Sequence, residues 1–302
     1  MNNLEKQCLR IRIVEEGISS IYSSDKIQSP VHLSNGQEAV SVGVCACLEE
    51  KDLVFGTYRG HALYLAKGGS LEKMMAELFG KDTGCGRGRA GSMHLADKEN
   101  GVMGCSAIVS STIPHAVGAA YAAKLRNSDQ IIVCFFGEGA IGEGVYHECL
   151  NFAAKHQLPI LFVCENNEWA IFTRVSNVHS MEPCSHARAY GISSTLLKEG
   201  WNVNKVNATA QREISKLREG GGPRLIEIQT FRYMEHVGPG TDIGAGPRDE
   251  RALELWKEKD PLNRSAIDTK VVEVIQAELA QAIEYAERSP FPKGSDLLMN
   301  VY

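Results

Sequence analysis

The clearest hydrophobic pattern lies in the middle of the chain. Residues 131–136 form an unbroken β-branched and aromatic run that ends in the turn Gly137-Glu138-Gly139. A helical segment follows. Pro159 then introduces a second apolar run, Ile160 to Cys164, which ends in Glu165-Asn166-Asn167. The pattern reads as strand, turn, helix, strand, turn. A right-handed crossover puts both turns at the same carboxyl edge of a parallel sheet.

Elsewhere, Leu4, Cys8, Ile11, Val14, Ile18 and Ile21 recur at helical spacing and predict an amphipathic helix over 3–22. Gln37 to Leu48 predicts a second helix, Leu53 to Thr57 a short strand and Leu71 to Leu78 another helix. Gly80 to Gly91 holds five glycines and reads as a loop. Pro114 opens a helix that runs to Leu125. A further alternation passes from Leu196–Trp201 through Val203–Val206 and a helix around Arg212–Arg218 to the strand Arg224–Phe231. Residues 238–247, with four glycines and two prolines, are too poor in apolar groups to be held by packing alone. Ala252–Lys259 and Lys270–Arg288 are helical, with a tail ending at Tyr302. Strands alternating with helices predict an α/β fold with a mostly parallel sheet flanked by helices. The expected division is an α/β domain over 1–247 and a helical C-terminal extension over 248–302.

Composition narrows the function. The chain has 302 residues, 43% hydrophobic and 23% charged, as in an ordinary globular protein. A net charge of −5 with no long basic run argues against nucleic-acid and acidic-membrane partners. The nine cysteines are scattered, and no paired C-x-x-C suggests zinc. Reduced, buried thiols are expected. The N-terminus lacks the design of a signal peptide, and no apolar run approaches membrane-spanning length. A cytoplasmic location is the default expectation.

The chemistry concentrates at the two central turns. Glu138 and Asn167 are brought within reach by the crossover. A carboxylate and an amide carbonyl are hard oxygen ligands of the kind Mg2+ takes when it carries a diphosphate. Residues 137–142 also fit G-x-G-x-x-G, and Glu165 ends the next strand, so a nicotinamide or flavin dehydrogenase competes. Residues 1–130 precede this strand, however, whereas that fingerprint usually opens its domain. Nor does dinucleotide binding require Asn166-Asn167. A purely structural glycine turn is the bland alternative.

The paired turns resemble the thiamine diphosphate motif. With His32-Leu33-Ser34-Asn35-Gly36-Gln37-Glu38-Ala39, Thr57-Tyr58-Arg59-Gly60-His61, Gly91-Ser92-Met93-His94 and Thr230-Phe231-Arg232-Tyr233 in the same order, most of the chain resembles one family. It is similar to the alpha subunit of the thiamine-dependent first component of 2-oxo acid dehydrogenase complexes, which act on pyruvate, branched-chain substrates or acetoin. The resemblance implies the thiamine diphosphate-binding fold, with Glu138, Asn167 and the Trp169 carbonyl as Mg2+ ligands around the Gly137–Gly139 turn. Glu138 stands where the family carries aspartate, and Ile141 and Gly142 replace polar residues. Tyr58, Arg59 and Arg232 match diphosphate ligands, which suits a guanidinium that keeps its charge and donates paired hydrogen bonds. Ala107 and Val109 match backbone contacts to the cofactor. His236 matches a histidine on a mobile loop, where Met234 and Glu235 replace a histidine and a glycine. Val237 replaces a serine phosphorylated in mitochondrial relatives, so control at that position is not expected. His32, His61 and His236 are the expected catalytic residues, orienting the substrate and moving protons; His94 is equally a core histidine.

In the family the activating glutamate and the pyrimidine-binding half belong to a beta subunit. The expected assembly is therefore an α2β2 heterotetramer, inactive as the alpha chain alone. It would decarboxylate a small-molecule 2-oxo acid and pass the acyl group to a lipoyl-bearing acyltransferase. Three alternatives stay open: an acyloin-type or transketolase-like carbon transferase, an NAD-dependent dehydrogenase, and a non-catalytic regulatory subunit.

Overall fold

The apolar runs assemble into one sheet in the computed structural model, which describes residues 1–244, 248–263 and 267–298. Its strands are β1 (Leu53–Thr57), β2 (Val102–Ser106), β3 (Ile132–Gly137) and β4 (Ile160–Asn166), followed after a two-stranded ribbon, β5 (Trp169–Ala170) and β6 (Thr173–Arg174), by β7 (Ser193–Leu197) and β8 (Arg224–Gln229). The order is β2-β1-β3-β4-β8-β7, and every pairing within it is parallel. The expected α/β architecture is what forms.

Alternation along the strands divides the core in two. Ile132, Cys134 and Phe136 of β3 and Ile160, Phe162 and Cys164 of β4 face one layer, with side chains from α5 (Thr112–Leu125), α6 (Gly144–Lys155) and α7 (Pro183–Ala189). Val133, Phe135, Leu161 and Val163 face the other. There they meet α1 (Asn3–Ile21), α2 (Glu38–Cys45), α3 (His61–Ala66), α4 (Leu71–Leu78), α8 (Val203–Arg218) and α10 (Thr269–Arg288). Each such Ile, Leu or Phe, fully withdrawn from water, contributes about 1.5–3 kcal/mol. Burial on both faces is why β3 and β4 read as continuous apolar runs rather than alternating ones.

Cap chemistry sets several boundaries. Asn2 and Glu5 form a reciprocal capping box at the start of α1. Asn202 accepts a hydrogen bond from the Lys205 N–H at 3.2 Å, so Val203–Val206 is the first turn of α8. Glycine-interrupted β2, short α3 and α7, and the β5–β6 ribbon are absent from the sequence expectation. They are too brief for periodicity to declare. Helix α10 packs on α1 and α4, and α9 (Glu250–Lys259) brings Trp256 edge-on to Trp201. Residues 245–247 of the glycine–proline loop and 299–302 of the tail lie outside the described residues. All nine cysteines are free thiols, and no described helix is long and apolar enough to cross a membrane.

Candidate active site

β3 and β4 run side by side, with Gly137 opposite Glu165 at their carboxyl ends. β3 passes into a tight turn over Glu138–Gly142, and β4 passes into Asn167 and the ribbon. The Asn167 backbone N–H donates to Glu138 Oε2 at 3.2 Å. Acid and amide, apart in sequence, therefore meet at one sheet edge. The two asparagines divide the work. Asn166 donates from Nδ2 to Glu227 Oε1 at 2.8 Å and accepts from the Glu168 N–H at 3.0 Å, which pins the turn from behind. Asn167 lines the front and accepts from the Trp169 N–H at 3.3 Å. The turn is held in strained backbone: Glu168 has φ 69° and β-branched Ile171 has φ 55°. Space is tight at Gly139, where a Cβ would lie 3.0 Å from the Ala170 methyl. At Gly137 an added Cβ would meet no atom within 4 Å, so that wall of the site stays open.

These turns form one end of a cavity of about 370 Å3. Tyr58 and Arg59 come from the end of β1, and Ala107 and Val109 from the loop after β2. Ser110, at φ 64°, ties that loop to the Glu138 turn by donating to the Ala140 carbonyl at 2.9 Å. Arg59 donates to the Leu33 carbonyl at 2.7 Å and the His236 carbonyl at 3.1 Å, joining three segments. Burial and the neighbouring Arg232 lower its pKa to about 10, still fully charged near neutrality. Glu138 is buried, and desolvation raises its carboxyl to about 7 against the pull of backbone N–H groups. Glu165 also lines the cavity. Burial raises it to about 7, with Arg59 lowering and Glu138 raising it.

Part of the lining is an aromatic cluster. The His32 ring lies 4.5 Å from that of Tyr58 and 5.3 Å from that of His236, and Tyr58 and His236 are 5.5 Å apart. Burial first, then Arg59, lowers His32 to about 3 and His236 to about 4. Both imidazoles are neutral at physiological pH. His32 Nδ1 is buried without a hydrogen-bond partner among the described residues.

Among the expected site residues, Tyr58, Arg59, Ala107, Val109, Gly137, Glu138, Gly139, Asn167, Trp169, His32 and His236 share this one cavity. Two depart from expectation. His61 is fully buried outside it, with Nδ1 2.9 Å from Glu15 Oε2 and Nε2 2.7 Å from Ser92 Oγ. Both ring nitrogens are taken, so in this structure His61 braces the scaffold between Glu15 and Ser92. Arg232 is also outside the lining. It donates to the Met234 carbonyl at 2.6 Å and to Asp242 at 3.1 Å, because a buried guanidinium takes the nearest carboxylate. His94 is exposed. Glu165, Ser110 and Met93 line the cavity without having been expected there. For Glu165 the signal was its place before the paired asparagines.

The donor set suits a metal diphosphate. Glu138 has no cation within 4 Å among the described residues, and Asn167, Trp169, Arg59 and Tyr58 line the same cavity. No three His, Cys, Asp or Glu side chains converge as a preformed metal centre among the described residues. Mg2+ bound through a phosphate and water needs no such cage.

The alpha subunit of acetoin:2,6-dichlorophenolindophenol oxidoreductase from Bacillus subtilis (strain 168) is 38% identical over 311 residues, covering 98% of this chain and 92% of that one. The chloroplastic pyruvate dehydrogenase E1 component subunit alpha-3 of Arabidopsis thaliana is 37% identical, covering 96% and 72%. The pyruvate dehydrogenase E1 component subunit alpha of Porphyra purpurea is 36% identical, covering 95% and 88%. Among solved structures, the transketolase of Campylobacter jejuni subsp. jejuni NCTC 11168 superposes with a TM-score of 0.61 at 18% identity, over 96% of this chain and 49% of that one. That likeness shows a shared fold, the α/β architecture with a mostly parallel sheet expected from the sequence. A family model described as dehydrogenase E1 component matches residues 6–289.

Proposed function

The chain belongs to the dehydrogenase E1 component family, and we propose that it is the alpha subunit of a thiamine diphosphate-dependent 2-oxo acid dehydrogenase. In this reading it works with a beta subunit in an α2β2 assembly. The beta chain supplies the pyrimidine-binding half and the activating glutamate. A 2-oxo acid is decarboxylated and its acyl group passes to a lipoyl group on an acyltransferase. Residues 1–247 form the diphosphate-binding half and 248–302 a helical extension, and the protein resides in the cytoplasm.

The observation that carries the reading is the Asn167 N–H to Glu138 contact at 3.2 Å, which puts both signature turns in one wall of the cavity. Glu138, the Asn167 amide and the Trp169 carbonyl would hold Mg2+, and Tyr58 and Arg59 would hold the diphosphate. Thiamine diphosphate, when bound, supplies the electron sink for breaking the bond between keto carbon and carboxylate. The chain's own residues bind, orient and exclude water. Arg59 brings a fixed positive charge to the anion. His32 and His236, kept neutral by burial, would donate or accept single hydrogen bonds that orient the substrate, and would move protons only once the bound anion raises their pKa. Arg232, paired with Asp242 in this structure, would complete the phosphate site from just outside the lining.

The test is a thermal-shift titration of the chain co-purified with its beta subunit. Mg2+ with thiamine diphosphate at 100 times Kd should stabilise the assembly by about 2.7 kcal/mol, and NAD should not. Stabilisation by NAD alone would return the dinucleotide reading. A second substrate reading has its own support: the 38% identical relative is named for acetoin. Parallel assays with pyruvate, branched 2-oxo acids and acetoin separate these substrates, and an aldehyde acceptor tests the carbon-transferase alternative.

A further inference from the structure

Glu235 occupies a position where the resembling family has glycine, and its geometry gives it a task. We infer that Glu235 is a positioning residue that holds the His236 loop in place before any cofactor binds. Its backbone N–H donates to the Gly240 carbonyl at 3.0 Å, and its side-chain Oε1 accepts from the Gly240 N–H at 2.7 Å. The six residues from 235 to 240 are thereby closed into a ring by a reciprocal pair of bonds. The carboxylate sits where side chains at the neighbouring glycines would be: a Cβ at Gly238 would lie 2.5 Å from Oε1, and one at Gly240 2.8 Å. Gly238, at φ +109°, has the backbone freedom to make the bend.

The closed ring is then fastened to the body at three points. The Gly238 N–H donates to the Val31 carbonyl at 2.8 Å, Ser19 Oγ donates to the Pro239 carbonyl at 3.2 Å, and Arg59 donates to the His236 carbonyl at 3.1 Å. Val31 precedes His32, so this fastening sets the edge-on contact between the His32 and His236 rings. A loop rich in glycine and proline has little apolar packing to order it. One carboxylate that satisfies a loop amide supplies the constraint the composition lacks. Glu235 reaches neither cavity nor cofactor; it acts through His236. The part of this inference that concerns catalysis rests on the function proposed above, and the part that concerns loop order does not.

Hydrogen exchange over residues 234–244 in the cofactor-free full chain, with Glu235→Ala and Glu235→Gln compared to the parent, tests it. Protection is expected in the parent without cofactor. Glu235→Ala should exchange roughly tenfold faster at Gly240, and Glu235→Gln, which keeps an acceptor oxygen, should stay within about twofold of the parent. In the assembly with the beta subunit, Glu235→Ala should lower kcat roughly tenfold with the KM for thiamine diphosphate within about twofold, and Glu235→Gln should restore kcat. Equal exchange in the parent and Glu235→Ala would overturn the inference, as would a kcat indifferent to the alanine. If no 2-oxo acid is turned over, the functional reading fails, and the exchange measurement still decides the loop.

Discussion

Glu138 is a buried carboxyl with no cation within 4 Å among the described residues. Burial lifts it from 4.5 to about 7. The folded protein therefore binds this proton more tightly than the unfolded chain. The contribution to stability is fully present below about pH 4.5 and is lost as the pH rises through about 7. Denaturant melts of the cofactor-free chain should show the parent losing on the order of 3 kcal/mol relative to Glu138→Gln across that interval. A flat difference would mean that the carboxyl is not desolvated. Arg59 is the other decisive residue. Its fork spans the Leu33 and His236 carbonyls while lining the cavity. Lysine keeps the charge but has no fork. Arg59→Lys should weaken thiamine diphosphate binding in the α/β assembly roughly tenfold to a hundredfold by calorimetry. Unchanged affinity would remove Arg59 from the phosphate site.

At the scale of elements, one catalytic expectation becomes a structural one. His61 opens α3 and bridges α1, through Glu15, to Ser92 in the glycine loop's exit, all three fully buried. Glu15 also accepts from the Ser34 N–H at 2.9 Å. Truncation leaves a buried carboxylate half-paired, so His61→Ala should cost about 2–4 kcal/mol of stability. Urea melts would show this, with cofactor affinity of the folded protein unaltered. Normal stability with lost turnover would restore His61 to the chemistry. The glycine loop has a comparable support. Glu77 accepts from the N–H groups of Gly86, Gly88, Ala90 and Gly91 at 2.7 to 3.1 Å, which gives an element without periodicity a fixed shape. These cases show what was legible in the chain. β3, β4 and their turns announced themselves because burial on both faces makes long apolar runs and the site chemistry sits at their ends. The family resemblance pointed to Tyr58, Arg59, His32 and His236, which line the cavity. It did not foresee the partners of His61 and Arg232, because a matched position gives a residue's address but not its hydrogen bonds. Glu15 is 46 residues from His61, and Asp242 is ten from Arg232. No local pattern announces either pairing.

For the molecule as a whole, the parallel sheet explains why so few residues suffice. Every strand of it ends at the same edge, so segments from residue 32 to residue 236 converge on one cavity without a second domain. The same economy explains why this chain needs a partner in the proposed reading: the cavity gathers phosphate and metal donors. The most direct measurement of the account is calorimetric titration of thiamine diphosphate into the assembly with its beta subunit, with and without Mg2+, for the parent, Glu138→Ala, Asn167→Ala and the double variant. Binding should require the metal. Each single change should cost roughly a hundredfold, and the double variant little more than either, because both residues serve one ion. Metal-independent binding, unmoved by either change, would contradict the account.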